Sequence, residues 1–209
     1  MELRSNDFDH GTTIPDECAF GKPGDPVEHS DNLSPHLAWK DVPAGTRSFV
    51  LTCIDDDAPS KGDDVNQKGR EVPSDLPRVE FVHWLMADIP AECGELTRGS
   101  CSDGVTPHGK REPVGPPGSV QGRNDYSSWF AGDDDMAGDY RGYDGPCPPW
   151  NDSLLHHYQF DLYAIDVPSL GLEPGFTLAQ LRAALDGHVL AEATRTGTYS
   201  LNPRLRDSG

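Results

Sequence analysis

Two segments of the chain alternate between apolar and polar positions with the period of a β-strand. In residues 79–89 and 156–165 every second side chain falls on one face, and each segment has a mainly apolar face. A third segment, residues 48–54, is apolar almost throughout and rich in β-branched side chains, which is typical of a buried strand. These three segments predict the main strands of the core.

Histidines occur on the apolar faces of two of these strands. His83 is expected on one face together with Leu85 and Ala87, and His156 begins a face that continues with Tyr158. A histidine in such a position is more often a core residue held by one hydrogen bond than a functional group. Both interpretations stay open on this pattern alone.

Three consecutive aspartates, Asp55, Asp56 and Asp57, follow the apolar run at residues 48–54, and Ala-Pro comes after them. A rigid strand that ends in carboxylates is a common way to present a polar site. Aspartate and proline also favour solvated turns, which is the more frequent explanation for such a cluster. A site and a turn are therefore kept as alternatives.

Helical periodicity is confined to the C-terminal part of the chain. Thr177 and Gln180 form a capping-box pattern, and the apolar stripe that follows predicts a helix that ends before Gly187. A second short helix is predicted for residues 189–193, and a last strand is predicted for residues 197–201.

The sequence contains no repeat or break in composition that would divide it, so a single domain over residues 1–209 is expected. Residues 60–78 carry many charges and few apolar side chains, which predicts an exposed insertion between two strands. The tail at residues 202–209 is expected to fray. Glycine and proline, with 22 and 19 copies, suit short strands joined by turns.

The strong negative charge of the chain limits its partners. The 35 acidic and 17 basic residues give a formal net charge of −18 without any basic stripe, so nucleic acid and anionic membrane surfaces are poor partners. A cytosol with high salt is one explanation for this charge, and a bias in genome composition is another. Some apolar surface could support a homodimer.

The cysteine pattern and the absence of long apolar stretches argue against several further classes of protein. The five cysteines include no CxxC pair, which argues against a disulfide framework and a cysteine-rich zinc site. The N-terminal residues lack a signal-like apolar segment, and no run of about 20 apolar residues predicts a membrane span. Glycine-rich loops for nucleotide cofactors are absent from the sequence. These features predict a cytoplasmic protein without a cofactor.

Three predicted strands offer polar groups that could meet: Asp55 and Asp57, His83, and His156 with Tyr158. Two histidines and a carboxylate could hold a metal, but no HxH, HxxxH or HExxH spacing supports one. A hydrolase or lyase could use these groups as acid and base, although no GxSxG elbow or Cys–His pair supplies a nucleophile. In a third hypothesis, a charged histidine binds a phosphate-like anion and an aspartate orients the ring.

Four short motifs are spaced along the chain: Asp-Asp-Asp-Ala-Pro at residues 55–59, His-Trp at 83–84, Gly-Pro-Cys-Pro-Pro at 145–149 and His-His-Tyr at 156–158. In this order they resemble the Asp-Pro-Asp-x-Pro motif, the next strand's histidine, the Gly-Pro-Pro motif and the His-Arg-Tyr motif of one family. That family is the phosphatidylethanolamine-binding protein (PEBP) family, also called the Raf kinase inhibitor protein family. The resemblance is to its bacterial and archaeal branch and extends over residues 2–201.

The resemblance implies a mainly β fold, with antiparallel sheets in a sandwich-like arrangement and short C-terminal α-helices. It also implies a small pocket for phosphate-like or carboxylate anions, such as phospholipid head groups, and the regulation of a partner such as a kinase or protease. No catalytic residue and no metal is expected. Carried over by position, the pocket residues are Asp55, Asp57, His83, Gly145, Pro146, Pro148, His156 and Tyr158.

Two departures from the family pattern bear on this pocket. Asp56 replaces a proline, which loosens the turn and adds a carboxylate beside the site. His157 replaces an arginine, which removes a permanent positive charge. Both changes weaken the expected affinity for anions at neutral pH. Residues 60–78 are also longer than is usual in the family, and they are expected to cover or obstruct the mouth of the pocket.

Overall fold

A computed structural model describes residues 1–206, and the elements that follow refer to that range. The strands are β1 Glu2–Arg4, β2 Gly21–Lys22, β3 Glu28–His29, β4 Leu37–Lys40, β5 Ser48–Pro59, β6 Arg78–Pro90, β7 Glu95–Leu96, β8 Val120–Gln121, β9 His156–Ile165 and β10 Val189–Tyr199. The helices are α1 Tyr126–Trp129, α2 Leu178–Leu185 and α3 Pro203–Arg206, with one 3-10 turn at Asp16–Cys18.

A five-stranded antiparallel sheet, in the order β10-β9-β5-β6-β8, is the central layer of the fold. A smaller antiparallel sheet of β4 with β1 and β7 packs on one face of it, where Trp39 contacts Phe49. Helix α2 packs on the other face, where Leu181 and Leu185 join the apolar cluster around Val50. The predicted fold class, mainly β with antiparallel sheets in layers and short C-terminal helices, is confirmed.

Strand β5 lies in the middle of the central sheet and is covered on both faces. Phe49, Leu51 and Cys53 face the small sheet, whereas Val50 faces helix α2, and each is at most 1% exposed. Burial of each large apolar side chain stabilises the fold by about 1.5–3 kcal/mol. Double burial explains why residues 48–54 are apolar almost throughout instead of alternating.

Strand β6 contains two β-bulges, and one of them changes the predicted position of His83. Cys53 of β5 pairs with Trp84, and the next residue of β5 pairs with Val82, so His83 is an extra residue in β6. Leu85 consequently faces helix α2, whereas His83 lies on the same face as Trp84 and contacts Tyr158. The prediction that His83 shares a face with Leu85 and Ala87 is therefore wrong, because a bulge shifts the alternation by one residue.

The C-terminal part of the chain differs from its prediction after helix α2. Helix α2 is confirmed, and both hydrogen bonds of the capping box between Thr177 and Gln180 are present. The predicted second helix at residues 189–193 is wrong, since this segment is the first half of strand β10. Gly187, with φ of 79°, reverses the chain direction, and Val189 then pairs with β9. Sheet pairing outweighs the local helical preference.

The end of the described chain is anchored, contrary to the expectation of a frayed tail. Residues 203–206 form α3, and Arg206 donates hydrogen bonds to both carboxylate oxygens of Asp16 at 2.8 and 3.0 Å. The side-chain amide of Asn202 donates to the backbone carbonyl of Asp152 at 2.7 Å. Residues 207–209 of the predicted tail lie outside the described residues.

Residues 60–77 connect β5 to β6 and pack against the segment that precedes β9. Most of their side chains are exposed, but Val65 and Val72 are buried. The side-chain amide of Asn151 donates to the backbone carbonyls of Asp64 and Arg70 at 2.8 and 3.1 Å, with a third contact to Gln67. One buried asparagine thus organises the turns of this insertion.

Replacement of this asparagine should loosen the insertion. Asn151→Ala leaves several backbone carbonyls without a donor, and we expect the free energy of unfolding to fall by about 2 kcal/mol. Urea unfolding and limited proteolysis measure the two effects. The control is Gln67→Ala, an exposed side chain in the same segment. Equal behaviour of the two variants would contradict the organising role of Asn151.

Candidate functional site

A cavity of about 280 Å³ opens where β5 ends and where β6 and β9 begin. Because these three strands are antiparallel neighbours, those ends meet at one edge of the central sheet. The hairpin of β2 and β3, helix α1 and residues 147–149 form its walls. Side chains between residues 61 and 66 cover another side, so the insertion contributes to the wall of the cavity.

Strand pairing brings four of the predicted site residues together. Asp55 pairs across the sheet with Tyr158 of β9, and His156 lies two residues before Tyr158 on the same face. The bulge in β6 turns His83 toward the same cavity, where its ring centroid lies 5.0 Å from that of Tyr158. All four side chains line the cavity and are at most 3% exposed.

The three consecutive aspartates point in different directions. Asp55 and Asp56 alternate between faces as in any strand, and an extra residue in β5 between its pairings at Asp55 and Ala58 turns Asp57 away from Asp55. Asp55 faces the cavity, whereas Asp56 lies on the opposite face of the sheet. Asp57 accepts hydrogen bonds from the backbone N–H and the ring Nδ1 of His157 at 2.9 and 2.8 Å. Contrary to the prediction, Asp57 is therefore not part of the cavity lining.

Only part of the proline-rich segment at residues 145–149 lines the cavity, and the rest lies behind the cavity wall. Pro148 lines the cavity as predicted, and Cys147 does so too. Gly145 and Pro146 lie behind the wall. A Cβ atom on Gly145 would lie 2.1 Å from the carbonyl oxygen of Cys18, so only glycine fits there. The Pro146 carbonyl accepts from the backbone N–H of Phe20 at 2.9 Å.

A row of buried ionic groups supports one side of the cavity. His156 is bonded through Nδ1 to Asp55 at 2.7 Å and through Nε2 to Asp152 at 3.1 Å. Arg78 donates two hydrogen bonds to the carboxylate of Asp152, at 2.6 and 3.0 Å. The charges alternate in sign along the row Asp55–His156–Asp152–Arg78. Attraction between neighbouring opposite charges compensates for the cost of burying each one.

This row sets the protonation state of His156. Burial alone would lower the pKa of His156, but its hydrogen bonds to Asp152 and Asp55 outweigh burial and raise the pKa to about 9. Burial likewise opposes ionisation of Asp152, but bonds from His156 and Arg78 lower the pKa of Asp152 to about 2. At neutral pH the ring is an imidazolium, and both of its N–H groups donate to carboxylates.

His83 lies in a different electrostatic environment. Its Nδ1 donates to the backbone carbonyl of Asp144 at 2.7 Å. Burial lowers the pKa of His83, and the neighbouring charge of Asp55 only partly opposes this effect. The ring is therefore neutral at physiological pH. The carboxylate of Asp144 is fully buried and accepts from Asn32, Lys110 and Asn124 at 2.6–2.8 Å.

The hydroxyl of Tyr158 is the unusual polar group of the cavity. The side chain is fully buried, and within residues 1–206 the hydroxyl has no hydrogen-bond partner. Burial raises the pKa of Tyr158 well above its usual value, so the group is a neutral donor. A buried hydroxyl without a protein partner is rare and marks a position where a ligand or a water molecule can bind.

Aromatic rings form the other side of the cavity. Phe20 stacks on Tyr126 with ring centroids 4.4 Å apart, and Phe130 lies beside both rings, 5.7 Å from Tyr126 and 5.8 Å from Phe20. Trp129, which is 51% exposed, and Val79 lie at the mouth. The cavity thus combines a polar end beside His83 and Tyr158 with an apolar side open to solvent.

The described residues do not have the features of a metal site, and Cys147 does not have those of a reactive thiol. Among the residues that the structure describes, no group of three or more His, Cys, Asp or Glu side chains has the arrangement of a metal site. Burial raises the pKa of the Cys147 thiol to about 12, so this cysteine of the cavity wall is protonated at neutral pH.

Comparison with known protein families matches residues 4–200 to the family described as phosphatidylethanolamine-binding protein. The chain belongs to the PEBP family. It is 32% identical over 200 residues to the Escherichia coli protein YbhB, with 96% of this chain and 100% of YbhB covered. It is 36% identical over 199 residues to a UPF0098 protein of Methanothermobacter thermautotrophicus, with 95% and 98% covered.

Solved structures agree with this assignment to the PEBP family. The crystal structure of E. coli YbcL, described as a new member of the mammalian PEBP family, matches with a TM-score of 0.68 at 28% identity. The match covers 95% of this chain and 97% of YbcL. A PEBP homologue from Chlamydia trachomatis matches with a TM-score of 0.63 at 29% identity, with 95% and 96% covered.

The residues that depart from the PEBP motifs are both turned away from the cavity. Asp56 lies on the opposite face of the central sheet, and His157 is bonded to Asp57 outside the lining. The structure adds three residues to the predicted site: Asp152, Arg78 and Asp144. The position of Asp152 four residues before His156 was a weak sequence indication of its role, whereas nothing in the sequence indicated a role for Arg78 or Asp144.

One further structural finding concerns membranes. No helix within residues 1–206 combines the length and the apolar character needed to cross a lipid bilayer.

The buried imidazolium predicts a specific pH dependence. The ordinary pKa of histidine is 6.5, and the pKa of His156 in the folded protein is about 9. The protonated ring therefore stabilises the fold fully below about pH 6.5, and this contribution is lost as the pH rises through about 9. We expect it to be on the order of 3 kcal/mol, measured by urea unfolding across this pH range.

Comparison with a variant isolates this contribution. His156→Gln removes the titrating ring, so the difference in unfolding free energy between wild type and variant should shrink as the pH rises. An NMR titration of the ring Cε1–H of His156 should place its midpoint near 9. A midpoint below the ordinary histidine value would show that the ring is neutral and that this account of the row is wrong.

Proposed function

We propose that the protein binds a small ligand through an anionic group, such as the phosphate of a phospholipid head group, in the cavity between β5, β6 and β9. The observation that supports this most directly is the buried hydroxyl of Tyr158, which has no acceptor within residues 1–206. An unpaired buried donor costs free energy, and an anionic oxygen in the cavity would accept its hydrogen bond.

His83 supplies a second group for the same ligand oxygen. Its Nδ1 is held by the Asp144 carbonyl, and its Nε2 has no hydrogen bond to any described residue. The ring is neutral without a bound anion because burial lowers its pKa. A bound anion favours the protonated ring, whose Nε2–H then donates to the ligand. Ligand binding is thus coupled to proton uptake by His83.

His156 has a supporting role in this proposal, which differs from the sequence-based hypothesis that its imidazolium contacts the anion. Both ring nitrogens are already bonded to Asp55 and Asp152. The positive charge of the ring offsets the charge of Asp55, whose other oxygen accepts the backbone N–H of Asp57 at 2.8 Å. The row therefore allows an anion to approach next to a carboxylate.

The apolar side of the cavity favours a ligand that is not a bare phosphate ion. The stacked rings of Phe20, Tyr126 and Phe130 offer a surface for carbon atoms or for a cationic group. The net charge of −18 repels free anions at long range, whereas a zwitterionic head group is repelled much less. Regulation of a protein partner would then depend on occupancy of the cavity beside the exposed Trp129.

A binding role is favoured over an acid–base enzyme by the state of the candidate catalytic groups. His156 has no free ring nitrogen with which to accept a proton from a substrate. The Cys147 thiol is protonated, so it is a poor nucleophile. His83 with Asp55 is left as the pair on which a hydrolase or lyase would depend.

Tyr158→Phe tests the proposal. The variant removes the unpartnered hydroxyl, so we expect binding of phosphoethanolamine to weaken about tenfold while the stability of the free protein is unchanged or higher. Calorimetric titration measures the affinity, and NMR shifts of the His83 ring near pH 6 report occupancy. Inorganic phosphate and glycerophosphate, titrated in parallel, distinguish a head group from a free anion.

Tyr143→Phe is the matched control. The Tyr143 hydroxyl is buried outside the cavity and donates to the carbonyl of Cys18 at 2.6 Å. Its removal should destabilise the fold by about 1–2 kcal/mol without changing affinity. If wild-type protein shows no response of His83 to any of the three anions, or if Tyr158→Phe binds them as tightly as wild type, the proposal is wrong.

A further inference from the structure

A second cavity, of about 220 Å³, lies on the opposite face of the central sheet beneath helix α2. The strands that form the base of the first cavity also form the base of this one, with their alternate side chains. Thr52 of β5 and Asp161 of β9 form its floor. Asp56, Glu80 and Glu192 are exposed acidic residues at its rim.

The floor of this second cavity contains an unpartnered buried hydroxyl. Thr52 is 3% exposed, and its Oγ1 has no hydrogen bond to any residue in the described range. Thr52 pairs directly across the sheet with Asp161, which is 5% exposed. The two carboxylate oxygens of Asp161 accept one bond each, from Gln159 at 2.8 Å and from Thr194 at 2.5 Å. Each of these oxygens retains acceptor capacity.

The charge of the second cavity is strongly negative. It is lined by the four acidic residues Asp56, Glu80, Asp161 and Glu192 but by only one basic residue, Arg182. Arg182 donates to both carboxylate oxygens of Glu80 and therefore pairs mainly with that group. Burial, together with the charges of Glu80, Asp55 and Asp57, raises the pKa of Asp56, and the charge of Arg182 only partly opposes this effect.

We propose that this second cavity binds a small organic cation with a primary ammonium group. An ammonium group has three N–H donors and no acceptor, and the floor offers it two acceptors, the Thr52 hydroxyl oxygen and the free capacity of the Asp161 carboxylate. The side chains of Leu178 and Leu181 on α2 contact the carbon atoms of such a ligand. The site is distinct from the anion-binding cavity and does not depend on its function.

Negative charge lies both at the floor and at the rim of the second cavity, which favours a ligand with two amines. One ammonium group would bind at the floor between Thr52 and Asp161, and a second would bind at the rim near Asp56 and Glu192. A metal ion matches the site less well, because no group of three or more possible ligands in the described chain has the required arrangement. A linear diamine such as 1,4-diaminobutane is therefore the probe that fits this chemistry.

Calorimetric titration of the full-length protein with 1,4-diaminobutane tests the proposal, with two variants. Thr52→Val replaces the hydroxyl by a methyl group of similar size, and we expect affinity to fall about tenfold. Because the hydroxyl has no partner in the free protein, the melting temperature of this variant should be unchanged or higher. Asp56→Asn should weaken binding as well. The control Asp134→Asn makes the same charge change at an exposed loop position and should bind as wild type does.

Several outcomes would overturn the proposal. One is the absence of binding, and another is equal weakening by Asp56→Asn and Asp134→Asn, which would show general charge attraction only. Binding of neutral 1,4-butanediol with the same affinity, or displacement of the diamine by an equal concentration of magnesium, would exclude specific ammonium recognition. Tyr158→Phe should leave diamine binding unchanged, which separates this site from the first cavity.

Discussion

The first cavity depends on the ion pairs that the buried imidazolium of His156 forms with Asp55 and Asp152. Removing a charge from water costs several kcal/mol, so His156, Asp55, Asp152 and Arg78 are stable in the interior only as a complete row. The four groups come from β5, β6, β9 and the segment before β9. The row therefore holds these elements in one arrangement, and Asn202 adds the chain end through the Asp152 carbonyl.

Irregular strand pairing decides which polar side chains reach the cavity. In a regular sheet the alternation would place His83 and Trp84 on opposite faces. The extra residue in β6 brings them to the same face, and the extra residue in β5 turns Asp57 away from the face of Asp55. A one-residue shift changes the face of every following side chain, so these bulges determine the composition of both cavities.

Much of the fold and part of the site could be predicted from the sequence. The three central strands and helix α2 follow from periodicity and capping, because these signals are local. Asp55, His83, His156 and Tyr158 were assigned to the site by motif. The bulges, the strand at residues 189–193 and the partners Asp152 and Arg78 were not predicted. They result from pairing between distant segments, which leaves no periodic signal in the local sequence.

The aspartates of the Asp55–Asp57 motif lie on two different faces of the central sheet. This placement changes how the replacement of the family's proline by Asp56 is interpreted. From the sequence, Asp56 in place of proline is expected to add negative charge beside the predicted anion pocket. In the structure that carboxylate faces the second cavity, with Glu80 and Arg182, and the sheet separates it from His83 and Tyr158. A proline at position 56 would place no carboxylate in the second cavity. The substitution therefore bears on the second cavity under α2 more than on the first cavity, where the His156 row sets the local charge.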